Sequence, residues 1–143
     1  MILSRFAVLT SVLFLAISSV PGQNPQMKSV LPVVKSAEIP LYPHIARLAR
    51  IQGTAQMKVW TDGASIAKVE GSGAHKLLID AAKQNLRTWH FYPHKPISFT
   101  VTFVYSLEGT EVAGSVNPSL FLELPTRVEI RTKPHPIETE VAH

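Results

Sequence analysis

The chain contains no cysteine. That excludes a thiol nucleophile, a Cys-ligated zinc site, a disulfide framework and a lipid-bearing cysteine. Charged residues are sparse, at 17% of 143 positions, and the 14 Lys and Arg against 10 Asp and Glu form no run. A nucleic-acid footprint needs a clustered basic face, so nucleic acid is not an expected partner. No apolar run reaches the ~20 residues of a membrane-spanning helix; "FAVLTSVLFLAISSV", residues 6–20, stops at 15. There is no Gly-x-Ser-x-Gly elbow and no Gly-Lys-Ser/Thr phosphate loop, and "GSG" at 71–73 is too short to cradle a phosphate. Asp62 falls in a turn and Asp80 on a helix, so no carboxylate pair is indicated. No enzyme activity and no cofactor are expected.

What is present is a globular composition, 45% hydrophobic, in one domain with appendages. Residues 1–22 have the anatomy of a signal peptide: Arg5, the apolar run, then Gly22 as a small residue at the cleavage point. An exported, periplasmic product is expected, with membrane association only if this segment stays uncleaved. Residues 23–38 read as a linker in which "VLPVV" is at best an edge strand, because Pro32 cannot donate to a ladder.

The next segment, "IPLYPHIARLARIQG", reads as a short helix. Tyr42 anchors the chain as it enters, Pro43 suits the first turn, and Gly53 can stop it. Ile45, Leu48 and Ala49 form its apolar stripe. In "TAQMKVWTDGASIAKVEG", Ala55, Met57, Val59 and Thr61 alternate on one face, and Asp62-Gly63 supplies a hairpin turn. Ala67 and Val69 continue the inner face on the return strand. Trp60 lies on the outer face, under a second layer or open to a partner, and cover is expected. Leu78, Ala81, Ala82, Leu86 and Trp89 keep helical spacing after a start near Ser72-Gly73. "ISFTVTFVYSLEG" alternates as a half-buried strand, with Phe99, Val101, Phe103 and Tyr105 inward. Leu120, Leu122 and Leu124, then Val128 and Ile130, alternate again around Pro125.

A strand–helix–strand crossover is right-handed, so the second and third strands are expected parallel with the first between them. The fold class is therefore α+β: a two-layer sandwich with sheet order 2-1-3, two helices on one face, and one or two extra C-terminal strands.

The stretch "TWHFYPHKP" holds His90 and His94 four residues apart, the spacing of a metal-binding helix. Pro93 removes that helix, and no Asp or Glu lies between Asp80 and Glu108. The histidines are better read as surface residues flanking Trp89 and Phe91, with Pro93 turning the chain into the last strand; no metal site is expected.

Four stretches in this order resemble the C-terminal domain family of TonB, and more closely the TonB-C-like domains of small exported bacterial proteins: "YPHIARLARIQGTAQMKV", "WTDGASI", "GSGAHKLLIDAAKQNLRTWHFYP" and "FTVTFVYSLEG". The family's patterned positions fall here on Tyr42, Pro43, Gly53, Asp62, Gly63, Leu78, Ala82, Trp89, Phe91 and Pro93. The resemblance implies a domain at 39–110; beyond it, the alternation reads as a strand extension at 111–132 and the polar, proline-bearing "KPHPIETEVAH" as a loose tail at 133–143. It also implies a protein-binding module without a catalytic site. Energy-transducing members carry a membrane anchor and a long proline-rich spacer. Here a 15-residue apolar run and a 16-residue linker stand in their place, and 16 residues reach at most ~55 Å. "SGAHKLL" is also one residue longer than the family's usual spacing.

The resemblance implies strand addition. An extended peptide, the TonB box of an outer-membrane receptor or a similar segment of another envelope protein, would pair with the edge strand 97–107. The contacting side chains would be Ser98, Thr100, Thr102 and Val104. Segment 119–131 is a rival for that edge, expected to fold back antiparallel to 97–107 and cap it. The protein would then be a capped adaptor or an envelope assembly module. Edge pairing between copies leaves a homodimer open.

Overall fold

The computed structural model describes residues 30–138. The expected signal peptide, residues 23–29 of the expected linker and the last five residues of the tail lie outside them. Two helices and seven strands follow in the order β1 (Val34–Ser36), α1 (His44–Leu48), β2 (Gly53–Thr61), β3 (Ile66–Ser72), α2 (Lys76–Leu86), β4 (His90–Phe91), β5 (Ser98–Leu107), β6 (Ser119–Glu123) and β7 (Arg127–Thr132). β1 and β4 form a small antiparallel sheet, and the main sheet runs β3-β2-β5-β7-β6. The α+β architecture and the inner 2-1-3 order are as expected. β1 falls inside the stretch read as linker, where only an edge strand was allowed.

The alternation of β2 and β5 builds the core. Ala55, Met57, Val59, Val101, Phe103 and Tyr105 are buried on the inner face, against Leu78, Ala82 and Leu86 of α2. Gly71 on β3 lets α2 approach closely, since a Cβ there would sit 2.5 Å from Ile79 Cγ2 and 2.9 Å from the Met57 thioether. Asp62 closes the β2–β3 hairpin by accepting from the N–H groups of Ala64 (3.0 Å) and Ser65 (2.8 Å). A shift in register between Trp60 and Thr61 puts Ile66 and Val69 on the inner face. Ala67, expected there, is exposed for that reason.

Both helices differ from expectation at their ends. α2 starts at Lys76 with His75 as its N-cap, whose Nδ1 accepts from Leu77 N–H at 3.1 Å, because Ser72 is still in β3 and Gly73 turns the chain at φ 84°. α1 has Pro43 as its N-cap and ends at Leu48, before Gly53. Its stop is a Schellman motif: Arg50 sits at φ 55°, Ile51 N–H donates to Ala46 O (2.8 Å) and Arg50 N–H to Arg47 O (3.2 Å). The apolar stripe is not its buried face. Ile45 and Leu48 are exposed, whereas Ala46 and Arg47 are buried. Small Ala46 allows the helix to lie close on the core, and the C-terminal loops draw Arg47 inward.

Trp60 receives no second layer. Lys58 Nζ and Lys68 Nζ lie 5.1 and 4.7 Å from its ring centroid, so cations and their alkyl stems cover it on the outer face.

Candidate functional site

The side chains Ser98, Thr100, Thr102 and Val104 line the outer face of β5, but the edge beside them is only partly open. β7 pairs with β5 from Thr102↔Arg127 to Leu107↔Thr132, and the pairing is parallel. The expected antiparallel cap is thus corrected. The chain leaves β5, runs out to β6, and returns through a tight turn so that β7 slots between β5 and β6. The β5–β7 pairs begin at Thr102, so Ser98–Val101 have no β7 partner.

The cap is held by side chains as well as by its ladder. Val128 and Ile130 are 1% and 0% exposed, which makes them part of the core. Arg47 reaches from α1 into the C-terminal loops. Its Nε donates to Lys133 O at 2.7 Å, and its two terminal nitrogens donate to the carbonyls of Gly114 and Val112. Arg50 pairs with Glu111 and donates to His135 O at 3.2 Å. The segment 133–135, expected to be a loose tail, is therefore tied to α1.

β6 is now the outer edge of the sheet on this side. The bonds from Thr102 N–H to Thr126 O and from Glu108 N–H to Thr132 O, both 2.8 Å, show that even-numbered β7 residues face β5. Odd-numbered ones face β6, where their partners are Glu123, Phe121 and Ser119. The main-chain groups of Leu120 and Leu122 consequently point away from the sheet. Phe121 is 51% exposed on the outer face and Leu122 47% exposed on the inner. Beside the inner face runs an apolar groove of about 270 Å³, whose lining includes Ile39, Trp89, Leu122 and Leu124.

The charges near this hairpin are arranged around Glu129. Its carboxylate meets Arg127 at 2.6 Å and Arg131 at 2.9 Å, and these bonds hold it below the ordinary glutamate range. Asp62 is likewise lowered, first by the N–H of Ser65 and then by that of Ala64. A depressed folded-state value stabilises the native state above the unfolded-state value, and that contribution is lost as pH falls through the folded one. Stability to urea is thus expected to be level near neutrality and to drop below pH about 4. Glu129→Gln is expected to make that drop shallower, which urea midpoints measured between pH 6 and pH 3 would check.

The remaining motif residues are structural. Tyr42 donates its hydroxyl to Ile51 O and sets its ring edge-on to Tyr105 at 5.5 Å; burial pushes its pKa up to about 12. Trp89 packs on Phe91 and Phe103 and donates its Nε1–H to Asn85 Oδ1 at 2.9 Å. Gly63 lies at φ 109°, with His94 O only 2.9 Å from where its Cβ would be. His94 is more than a flanking residue. Its Nδ1–H donates to Tyr92 O (3.0 Å), and its Nε2 lies in hydrogen-bond contact with the Thr61 hydroxyl oxygen (2.7 Å). His90 is exposed at the other end of the motif. Among the described residues no three His, Cys, Asp or Glu side chains group as metal ligands, and no helix is long and apolar enough to cross a membrane.

Three features were missed by reading the sequence. Arg47 gave no signal, because its partners lie 65 to 86 residues away. Asn85 pins the N-terminal segment by donating to Glu38 O at 2.9 Å, and only its place on the Leu78–Ala82–Leu86 face hinted at burial. Phe121, between two inward leucines, was the available clue to an edge apolar on both faces.

The chain matches no curated protein and no solved structure. Residues 38–107 match the family model described as "Gram-negative bacterial TonB protein C-terminal". The match starts just after β1 and ends with β5, so it contains both helices and the inner strands β2, β3 and β5, while β6 and β7 follow it. Domains of this family are non-enzymatic binding modules of exported envelope proteins. Residues 38–107 of this chain are thus similar to the TonB C-terminal domain family.

Proposed function

We propose that the chain is an exported, periplasmic protein-binding module that takes an extended segment of an envelope partner as an added strand on β6. The observation that carries this reading is the outer edge of β6: outward main-chain groups at Leu120 and Leu122, with exposed apolar side chains on both faces. The β5 edge is a poorer site for the same chemistry. A peptide pairing at Thr102 and Val104 must first remove β7, and the buried side chains of Val128 and Ile130 each contribute about 1.5–3 kcal/mol to holding it. Addition to β6 displaces nothing among the described strands. On this reading the module assembles envelope partners and carries its own cap, without transducing energy.

A second reading rests on the open stretch Ser98–Val101. A TonB-box-like peptide would gain a foothold there and peel β7 away, and this is the route by which the chain would serve TonB-dependent transport.

Titration of such a peptide into the full chain, followed by amide NMR, separates the two. Shifts centred on Ser119–Glu123 are expected. Shifts at Ser98–Val104 with loss of the β5–β7 pairing would replace the first reading with the second. No shift in either strand would overturn strand addition altogether.

A further inference from the structure

We propose that the segment received by β6 is β6 of a second copy, giving a two-fold symmetric dimer through a continuous sheet. This rests on the strand-addition reading and names its partner.

The argument starts from the phase of the ladder. Only Leu120 and Leu122 direct main-chain groups outward within β6. An antiparallel partner must therefore form its hydrogen-bonded pairs at these two positions. A second β6 centred on Phe121 does so with both residues. Leu120 faces the partner's Leu122, Leu122 faces the partner's Leu120, and the four outward N–H and C=O groups of each copy's two leucines are all satisfied. Phe121 then meets its own symmetry mate as a non-hydrogen-bonded pair, the closer of the two pair types. The pairing is isologous, as closed dimers usually are.

The side chains agree with that register. On the inner face, leucine meets leucine beside the groove. On the outer face, the partner's Glu123 lies opposite Ser119, in the same cross-strand row as Arg131. No like charges oppose each other. Shifting the centre by one residue to Leu122 would set Glu123 against Phe121 and lose this complementarity.

The opposite edge of the sheet supplies the contrast. β3 carries Lys68 and Glu70 in succession on its outer face, bridged at 3.0 Å, and charged side chains of this kind blunt an edge. β6 has no Lys and no Pro between Ser119 and Glu123, and its β7 register runs without a shift. Natural sheets protect such edges or use them.

Sedimentation of the full chain across a concentration series is expected to give a monomer–dimer equilibrium. In hydrogen exchange, the amides of Leu120 and Leu122 are expected to gain protection as concentration rises. Phe121→Lys sets two ammonium groups against each other at the two-fold axis and is expected to weaken the dimer about tenfold or more. Leu122→Pro removes an outward N–H that β7 does not use, and is expected to abolish the dimer while circular dichroism stays native. A monomer at every concentration would overturn the dimer. Peptide-induced shifts at Ser119–Glu123 in that monomer would leave strand addition standing, and their absence would remove both. A dimer that neither substitution weakens would also overturn the proposal, because its interface would lie elsewhere.

Discussion

A chain ending at Thr110 is expected to lose most of its cooperative fold, although it retains the whole region matched by the family. Truncation there deletes β6 and β7. It uncovers the inner-face contacts of Val128 and Ile130, both buried to within 1%, and frees the Thr102–Leu107 side of β5. The two side chains alone remove about 3–6 kcal/mol of burial, against a total of about 5–15 kcal/mol for an ordinary domain. Loss of the Arg47 contacts adds to this. Urea unfolding followed by circular dichroism would check it, with the full chain as reference. An unchanged midpoint would mean that the hairpin is an ornament on an independent domain.

Arg47→Ala is expected to cost about 3 kcal/mol, an unusually large effect for a residue on a five-residue helix. The guanidinium is buried, and its partners are three carbonyl oxygens. Hydrogen bonds from a charged donor are worth about 1.5–3 kcal/mol each. Removing that donor leaves the carbonyls of Val112, Gly114 and Lys133 without it. Arg47→Lys is expected to recover less than half, because an ammonium cannot span three acceptors as a planar fork does. Hydrogen exchange would identify the cause: in the alanine variant the amides of 111–116 and 133–135 should exchange first, with β2 and α2 still protected. Uniform loss of protection would instead mean that Arg47 supports the core directly.

The inner architecture was legible because each of its elements has its own local signal. β2 and β5 alternate over nine and ten residues, Asp62-Gly63 fixes the hairpin, and crossover handedness fixes the order. α1 was misread because five residues make little more than one turn, too few for spacing to define a face. Its most important side chain is a cation whose acceptors come from the far end of the chain. The alternation of Val128 and Ile130 identified a strand, but it held no information on which strand it would join or in which sense. A short connection favours an antiparallel neighbour. The chain instead places β6 outermost and returns through a tight turn, so β7 arrives parallel. Of the four β5 residues chosen for partner contact, Ser98 and Thr100 lie beside the open stretch of the edge, and Thr102 and Val104 beside the occupied one. The edge apolar on both faces was one strand pair further out.

The position of β7 also bears on when folding can finish. It is the last of the described strands in chain order, yet it sits in the interior of the sheet. Every element before it can emerge while one side of β5 still lacks its final neighbour and Arg47 still lacks its acceptors. Native pairing between residues 102–107 and 127–132 closes only once residue 132 is available, and such non-local contacts form slowly. Until residues 127–132 are in place, the Thr102–Leu107 side of β5 therefore stays an open edge, able to pair with any extended segment nearby.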